Sequence, residues 1–237
     1  MKSRNAMHLM MTCEHGGNQV PLHWKSCFKK ADAALASHRG YDRGALELAE
    51  FLSSQLSSPL VFSTTTRLLV ELNRSLHHPH LFSKWTQHLS KEEKEMILQE
   101  YYLPYRLQVE KELLKKMQRG PVLHLSVHSF TPALDGIKRE GEIGLLYDSR
   151  RKKEKVFATQ WKQSLQKKLN GEMRIRMNYP YLGKADGLTS FLRKKWGDET
   201  YLGIELEVNQ GLVDYKSKWK SLKESLLFSL RQVLELY

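Results

Sequence analysis

VLHLSVHSFTP, Val122–Pro132, is the stretch on which the fold turns. Its first six residues form an apolar run of the kind that a sheet buries on both faces. Working outward, similar runs stand at PLVFST (Pro59–Thr64) and HLMMTC (His8–Cys13) on one side. On the other side are IGLLY (Ile143–Tyr147) and YLGIELEV (Tyr201–Val208). Helical patterns fill the gaps. Gly44–Leu56 carries Leu48, Leu52 and Leu56 at steps of four. Ser90–Gln118 opens with a capping-type pair, Ser90 and Glu93, and is interrupted by Pro104, which predicts two helices or one kinked helix. Val156–Leu169, Leu188–Trp196 and Tyr215–Leu236 complete the set. Strands alternating with helices predict an α/β fold with a mostly parallel sheet. No internal repeat, low-complexity linker or boundary divides residues 1–237, so a single domain is expected.

Composition narrows the function classes. The chain has 41% hydrophobic and 27% charged residues, which excludes a disordered, collagen-like or coiled-coil protein. Met7–Cys13, the longest apolar run near the start, falls far short of the roughly 20 residues that span a bilayer. It also lacks a signal-cleavage pattern. Cys13 and Cys27 read as free thiols in a reducing compartment. The expectation is a soluble, cytoplasmic protein with no membrane partner. A net charge of +12 is concentrated late, in Arg150–Lys155, Lys162–Lys168, Arg193–Lys195 and Lys216–Lys223. Trp161, Trp196 and Trp219 accompany these runs, as stacking residues would on a nucleic-acid surface. Each run also fits the wet side of an amphipathic helix, and that reading is preferred.

Ligands in open α/β sheets gather outside the carboxyl ends of the strands, and the chemistry-bearing residues cluster there. The first strand ends in CEHGGN, with His15 before a Gly16-Gly17 turn that permits close approach. The central strand delivers His128, and IELEVNQG places Glu205 and Glu207 on one strand face. Asp42, in YDRGA, stands at the start of a helix. Two histidines and a carboxylate suit a catalytic zinc, whose three protein ligands leave a fourth position for water. A further carboxylate can then take a proton from that water. Each residue has a plainer reading. A strand-end histidine can be a hydrogen-bonded structural residue, and Asp42 can cap its helix. A carboxylate within the apolar strand is harder to dismiss, because burial demands a partner charge or metal. TTTRLLVELNRS brings Arg67 and Asn73-Arg74 to either end of an apolar stretch. These residues suggest a carboxylate-bearing substrate, the alternative being surface salt bridges of little energetic weight.

Taken in order, CEHGGNQVP, HRGYDRGALELA, TRLLVELNRS, YLPY, VHSFTP, GLLYD, NYPYLGKADGLT and IELEVNQG resemble the N-formylglutamate amidohydrolase family from about Cys13 to Gly211. The resemblance implies a phosphorylase/hydrolase-like three-layer α/β/α sandwich with a mostly parallel mixed sheet and one catalytic zinc. The related zinc carboxypeptidases take two ligands from an HxxE segment. Here Asn18 stands at the fourth position, whereas the related cell-wall amidases use a carboxylate at the position of Asp42. The resemblance therefore implies His15, Asp42 and His128 as ligands, with Asn18 as an alternative or supporting residue. It implies Glu207, directly before Val-Asn, as general base, and Glu205 as its support. Asn73 and Arg74 would clamp the substrate carboxylate, Arg67 would face the developing oxyanion, and Tyr181 with Gly183–Thr189 would line the pocket. The implied substrate is a small anionic N-acyl amino acid such as N-formylglutamate. Alternatives are another N-acyl amino acid or a peptidoglycan-type amide, a nucleic-acid-binding protein on a retained scaffold, and a zinc-free binder of acidic small molecules.

Overall fold

The structure, a computed structural model, describes residues 6–237. Its strands are β1 (His8–Cys13), β2 (Leu60–Phe62), β3 (Val122–Phe130), β4 (Ala133–Leu134), β5 (Ile137–Lys138), β6 (Ile143–Leu146), β7 (Ile175–Met177) and β8 (Tyr201–Asn209). Its α-helices are α1 (Asp32–Leu35), α2 (Ala45–Gln55), α3 (Lys91–Ile97), α4 (Leu103–Met117), α5 (Lys152–Leu169), α6 (Leu188–Lys195) and α7 (Lys216–Leu234). Six strands form one sheet in the order β2-β1-β3-β8-β6-β7. All neighbours are parallel except β6 against β8. The expected α/β/α sandwich with a mostly parallel mixed sheet is what forms, because both sheet faces are apolar enough to need a helical cover. Among the described residues no helix is long and apolar enough to cross a membrane.

The two faces differ, and that difference positions the site. On one face Leu9, Met11 and Cys13 of β1 join Leu123, Leu125 and Val127 of β3 and Leu202, Ile204, Leu206 and Val208 of β8. This unbroken apolar surface is covered by α2, α5 and α7. On the opposite face Met10, Val122 and Tyr201 pack under α4 and α6. Side chains alternate along a strand with a period of two, so that same face continues through Thr12 on β1, His124, Ser126 and His128 on β3, and Glu205 and Glu207 on β8. The register sets Ser126 beside Glu205 and His128 beside Glu207. One surface thus runs from apolar to polar toward the carboxyl ends of its strands.

Boundaries differ from the sequence reading for identifiable reasons. β3 extends three residues past Val127, because β8 pairs with it as far as Phe130 opposite Asn209. Helix α5 begins four residues before Val156, and its lysine-rich first turn is held by Lys153 N donating to Asp198 at 3.0 Å. Pro104 neither ends nor separates the long helix. A π-helical turn at Leu98–Tyr102 joins α3 to α4, with Leu103 N bonding back to Leu98 O. A π turn is where the ladder can absorb the proline's missing N–H. The β4–β5 hairpin and the edge strand β7 were not foreseen. Trp161 and Trp219, flanking the basic runs, are buried core residues rather than stacking platforms. Both cysteines are free.

One buried ion pair ties the helical layers to the strand that carries Glu207. Glu154 of α5 is fully buried and accepts from Arg193 Nε of α6 at 2.9 Å and from Gly203 N of β8 at 3.0 Å. Arg193 also donates to Gly203 O at 2.7 Å and to Gly183 O at 2.5 Å. A buried charge pair is tolerable when its remaining valences are satisfied in this way. Its consequence is that β8 and the 178–187 segment are held by one guanidinium.

Candidate active site

His15 follows the end of β1, where Gly16 and Gly17 turn the chain sharply. A Cβ at Gly16 would lie 2.9 Å from Ser63 O, and one at Gly17 would lie 2.6 Å from Thr64 O. The close approach that these glycines permit is therefore to the neighbouring chain rather than to a ligand. The turn carries Asn18 to the surface, where its Nδ2 donates to Leu35 O at 3.0 Å. Asn18 therefore stands apart from the cavity that His15, Asp42 and His128 line.

Asp42 is brought back to His15 through the backbone, with Asp42 N donating to His15 O at 2.9 Å. It does not cap α2. Gly44 occupies that position, with φ +82° and no side-chain cap. Instead Asp42 Oδ2 lies 3.2 Å from His15 Nδ1 and 2.8 Å from His128 Nδ1. One donor atom from each of the three residues lies within 4.8 Å of the others, and all three residues are buried. A tetrahedral zinc with bonds of about 2.0–2.1 Å separates its ligand atoms by roughly 3.3 Å. The two Asp42 contacts, at 3.2 and 2.8 Å, lie near that spacing.

The outer nitrogens strengthen the fit. His15 Nε2 is held by Glu71, and His128 Nε2 lies 2.9 Å from Glu14 Oε2. A carboxylate behind each imidazole fixes the ring and leaves Nδ1 free to ligate. Glu14 is fully buried and also accepts from Ser126 Oγ at 2.7 Å and Tyr105 Oη at 2.8 Å. Glu71 accepts from Asn73 N at 3.0 Å and Arg67 Nε at 2.7 Å. Burial alone would raise both carboxyls, but the imidazole beside Glu14 and the Arg67 guanidinium beside Glu71 hold them far below the ordinary range. Burial likewise opposes a charge on His128, yet its bonds to Asp42 and Glu14 keep its pKa well above the usual value. Three carboxylates, Glu14, Asp42 and Glu71, surround the two imidazoles, and the Arg67 guanidinium balances part of their charge.

Neither Glu14 nor Glu71 was singled out from the sequence, although the signal was present. Glu71 lies inside the apolar LLVEL stretch and Glu14 directly follows the apolar HLMMTC run, so the argument that marked Glu205 and Glu207 reaches both. Replacing Glu14 or Glu71 by glutamine is expected to weaken zinc binding by roughly ten- to a hundred-fold with the cluster still assembled. Competition against a chromogenic chelator measures this, and unchanged affinity in both variants would remove them from the metal's support.

Arg67 spans Glu71 and Asp42, reaching Asp42 Oδ1 at 3.1 Å. Much of its fork is thereby engaged, so it acts on the cluster by fixing two carboxylates as well as by facing the cavity. Asn73 Oδ1 accepts from Leu188 N at 2.7 Å, which binds it to the start of α6. Arg74 donates to the Asp186 backbone carbonyl at 2.7 Å and has no carboxylate partner among the described residues. Tyr181 is half exposed and accepts a hydrogen bond from Arg139. Glu205 accepts from Thr189 Oγ1. Glu207 Oε2 is buried with no hydrogen-bond partner, and burial pushes Glu207 up to about 8 against the pull of His128. His15, Asp42, His128, Arg74, Tyr181 and Glu207 share the wall of one cavity of about 200 Å³. That is below the roughly 300–1,000 Å³ of pockets that enclose drug-sized ligands.

The model of the N-formylglutamate amidohydrolase family matches residues 7–213. The chain belongs to that family. Membership places it among hydrolases of amide bonds, and the matched residues include every member of the cluster above. No curated protein sequence matches the chain. Among solved structures, it resembles the gene product Atu2144 from Agrobacterium tumefaciens at 24% identity and a TM-score of 0.80, covering 97% of this chain and 91% of that one. That likeness is one of fold. Fainter likenesses reach an N-acetylmuramoyl-L-alanine amidase from Clostridium difficile 630, at 12% identity and a TM-score of 0.48 over 98% of both chains. They also reach a succinylglutamate desuccinylase from Chromobacterium violaceum, at 11% identity and a TM-score of 0.44 over 96% of this chain and 61% of that one.

Proposed function

We propose that this family member is a zinc-dependent amidohydrolase that cleaves N-formylglutamate, or a closely similar N-acyl amino acid, into the free amino acid and the acyl acid. The observation that carries the reading is the orphaned Glu207 oxygen, buried one strand from His128 and in register with it. A carboxyl without a partner, on the wall of a cavity whose His-Asp-His nest would hold a cation able to draw its pKa back down, suits a group that gives and takes a proton during turnover.

His15, Asp42 and His128 would hold the zinc, which supplies Lewis acidity for the acyl carbonyl and eases ionisation of a water. Glu207 takes a proton from the attacking water as its oxygen bonds to the acyl carbon. The C–N bond then breaks, and Glu207 returns the proton to the amine nitrogen, so that the carboxylate is regenerated. Arg67, fixed by Asp42 and Glu71, places positive charge at the cavity wall where the carbonyl oxygen gains negative charge. Arg74, which has no carboxylate partner among the described residues, would bind the carboxylate next to the scissile amide, and this contact would orient the substrate for attack. The small cavity favours a single acylated amino acid over a polymer strand.

Incubating zinc-loaded protein with a panel of N-formyl, N-acetyl and N-succinyl amino acids tests the proposal. Release of formate and glutamate from N-formylglutamate, faster than release from the bulkier acyl derivatives, is expected. A zinc-replete protein inert on the whole panel would overturn it.

A further inference from the structure

A second arginine without a carboxylate partner among the described residues enters the same cavity from the β4–β5 hairpin. The β4–β5 hairpin turns at Asp135 and Gly136, with φ of 50° and 77°. Two successive left-handed residues are the requirement of a tight two-residue hairpin turn. Its base is closed by Arg139 N donating to Pro132 O at 2.8 Å. This closure delivers the Arg139 side chain to the cavity, together with Leu134.

The surroundings of the Arg139 guanidinium are unusual for a charged group. It lies 5.1 Å from the ring centroid of Tyr181 and 5.8 Å from that of Phe130. Its single side-chain hydrogen bond runs from NH2 to Tyr181 Oη at 3.0 Å. NH1 is buried and has no acceptor. No carboxylate pairs with Arg139 among the described residues, whereas Arg67 in the same cavity has two. A guanidinium stays charged at any physiological pH, and a buried N–H without an acceptor is destabilising until a ligand supplies one. Two aromatic rings hold the fork in place, and one N–H is left facing nothing.

Arg74 suffices for one carboxylate. A second unpaired fork in the same cavity therefore calls for a second anionic group on the same ligand. We propose that Arg139 is the specificity-determining residue for the side-chain carboxylate of a dicarboxylic substrate, held in position by Tyr181. The proposal rests on the amide-hydrolase reading above and assigns a residue to substrate selection within it.

N-formyl-L-glutamine tests this directly, because it differs from N-formyl-L-glutamate by an amide in place of the distal carboxylate. The native enzyme is expected to favour formylglutamate in kcat/KM by roughly ten- to a hundred-fold, the range of a hydrogen bond to a charged group. Arg139→Gln is expected to lower the rate on formylglutamate far more than on formylglutamine, bringing the ratio to within about twofold of one. Arg139→Lys, which keeps the charge and loses the fork, should recover part of the ratio. A native ratio near one, or a native preference that survives Arg139→Gln, overturns the assignment and leaves amide hydrolysis standing. An equal loss on both substrates would make Arg139 a brace for Tyr181 and also overturn it. If the native enzyme cleaves neither compound nor any other N-formyl amino acid, the hydrolase reading fails and this assignment falls with it.

Discussion

Glu207→Gln is expected to lower kcat/KM for amide hydrolysis by roughly a hundred- to ten-thousand-fold, the usual contribution of a positioned general base, while zinc content stays the same. Glutamine keeps the shape of the side chain but cannot accept the proton. Glu207 makes no hydrogen bond through Oε2 in the free enzyme, so its replacement disturbs no existing network. Removing a carboxyl that burial holds near 8 leaves the fold intact or more stable. Activity assays beside metal analysis and thermal melting separate the outcomes. Loss of zinc along with activity would make Glu207 a ligand. Full activity would pass the base role to Glu205, which faces the same cavity but is engaged by Thr189.

The larger effect belongs to the proposed zinc site, His15, Asp42 and His128. Chelation is expected to abolish turnover and zinc to restore it, and Asp42→Ala is expected to lose both bound zinc and activity. The decline should be roughly three orders of magnitude or more, the equivalent of several kcal/mol of charge stabilisation. Asp42 is decisive because one of its oxygens serves both Nδ1 atoms and the other holds Arg67. Its loss separates the imidazoles and releases a cation beside them. Exhaustively chelated protein that retains full activity would exclude the proposed chemistry. Asp42→Ala with a full complement of zinc would show that other residues hold the ion.

The elements and their alternation were legible because they are local. Apolar runs of strand length and leucines at steps of four announce themselves within a dozen residues, and strand–helix alternation leaves few ways to arrange a sheet. His15, Asp42, His128 and Glu207 were visible for a related reason. A strand must alternate its side chains, and the carboxyl edge of an α/β sheet is where such residues accumulate. The β4–β5 hairpin also had a local signal, the Asp135-Gly136 pair, which its short strands made easy to overlook.

Other features depended on contacts between distant segments. The fate of Asn18 was set by where a Gly-Gly turn meets Ser63 and Thr64, far along the chain. Glu14 and Glu71 became supports for the imidazoles only when β1, β3 and the segment after β2 were packed together. Asp42, which in sequence could either cap a helix or join two histidines at a metal, is a shared partner of both imidazoles in space. Sequence by itself determined the layers, the polar edge and the residue types capable of chemistry, since these follow from periodicity and burial along short stretches. The tertiary structure alone decided which carboxylate lies between the two imidazoles, which stand behind them and which has no partner. Those roles depend on distances of a few ångströms between segments far apart in the chain, and Coulomb and hydrogen-bond energies change steeply over that range.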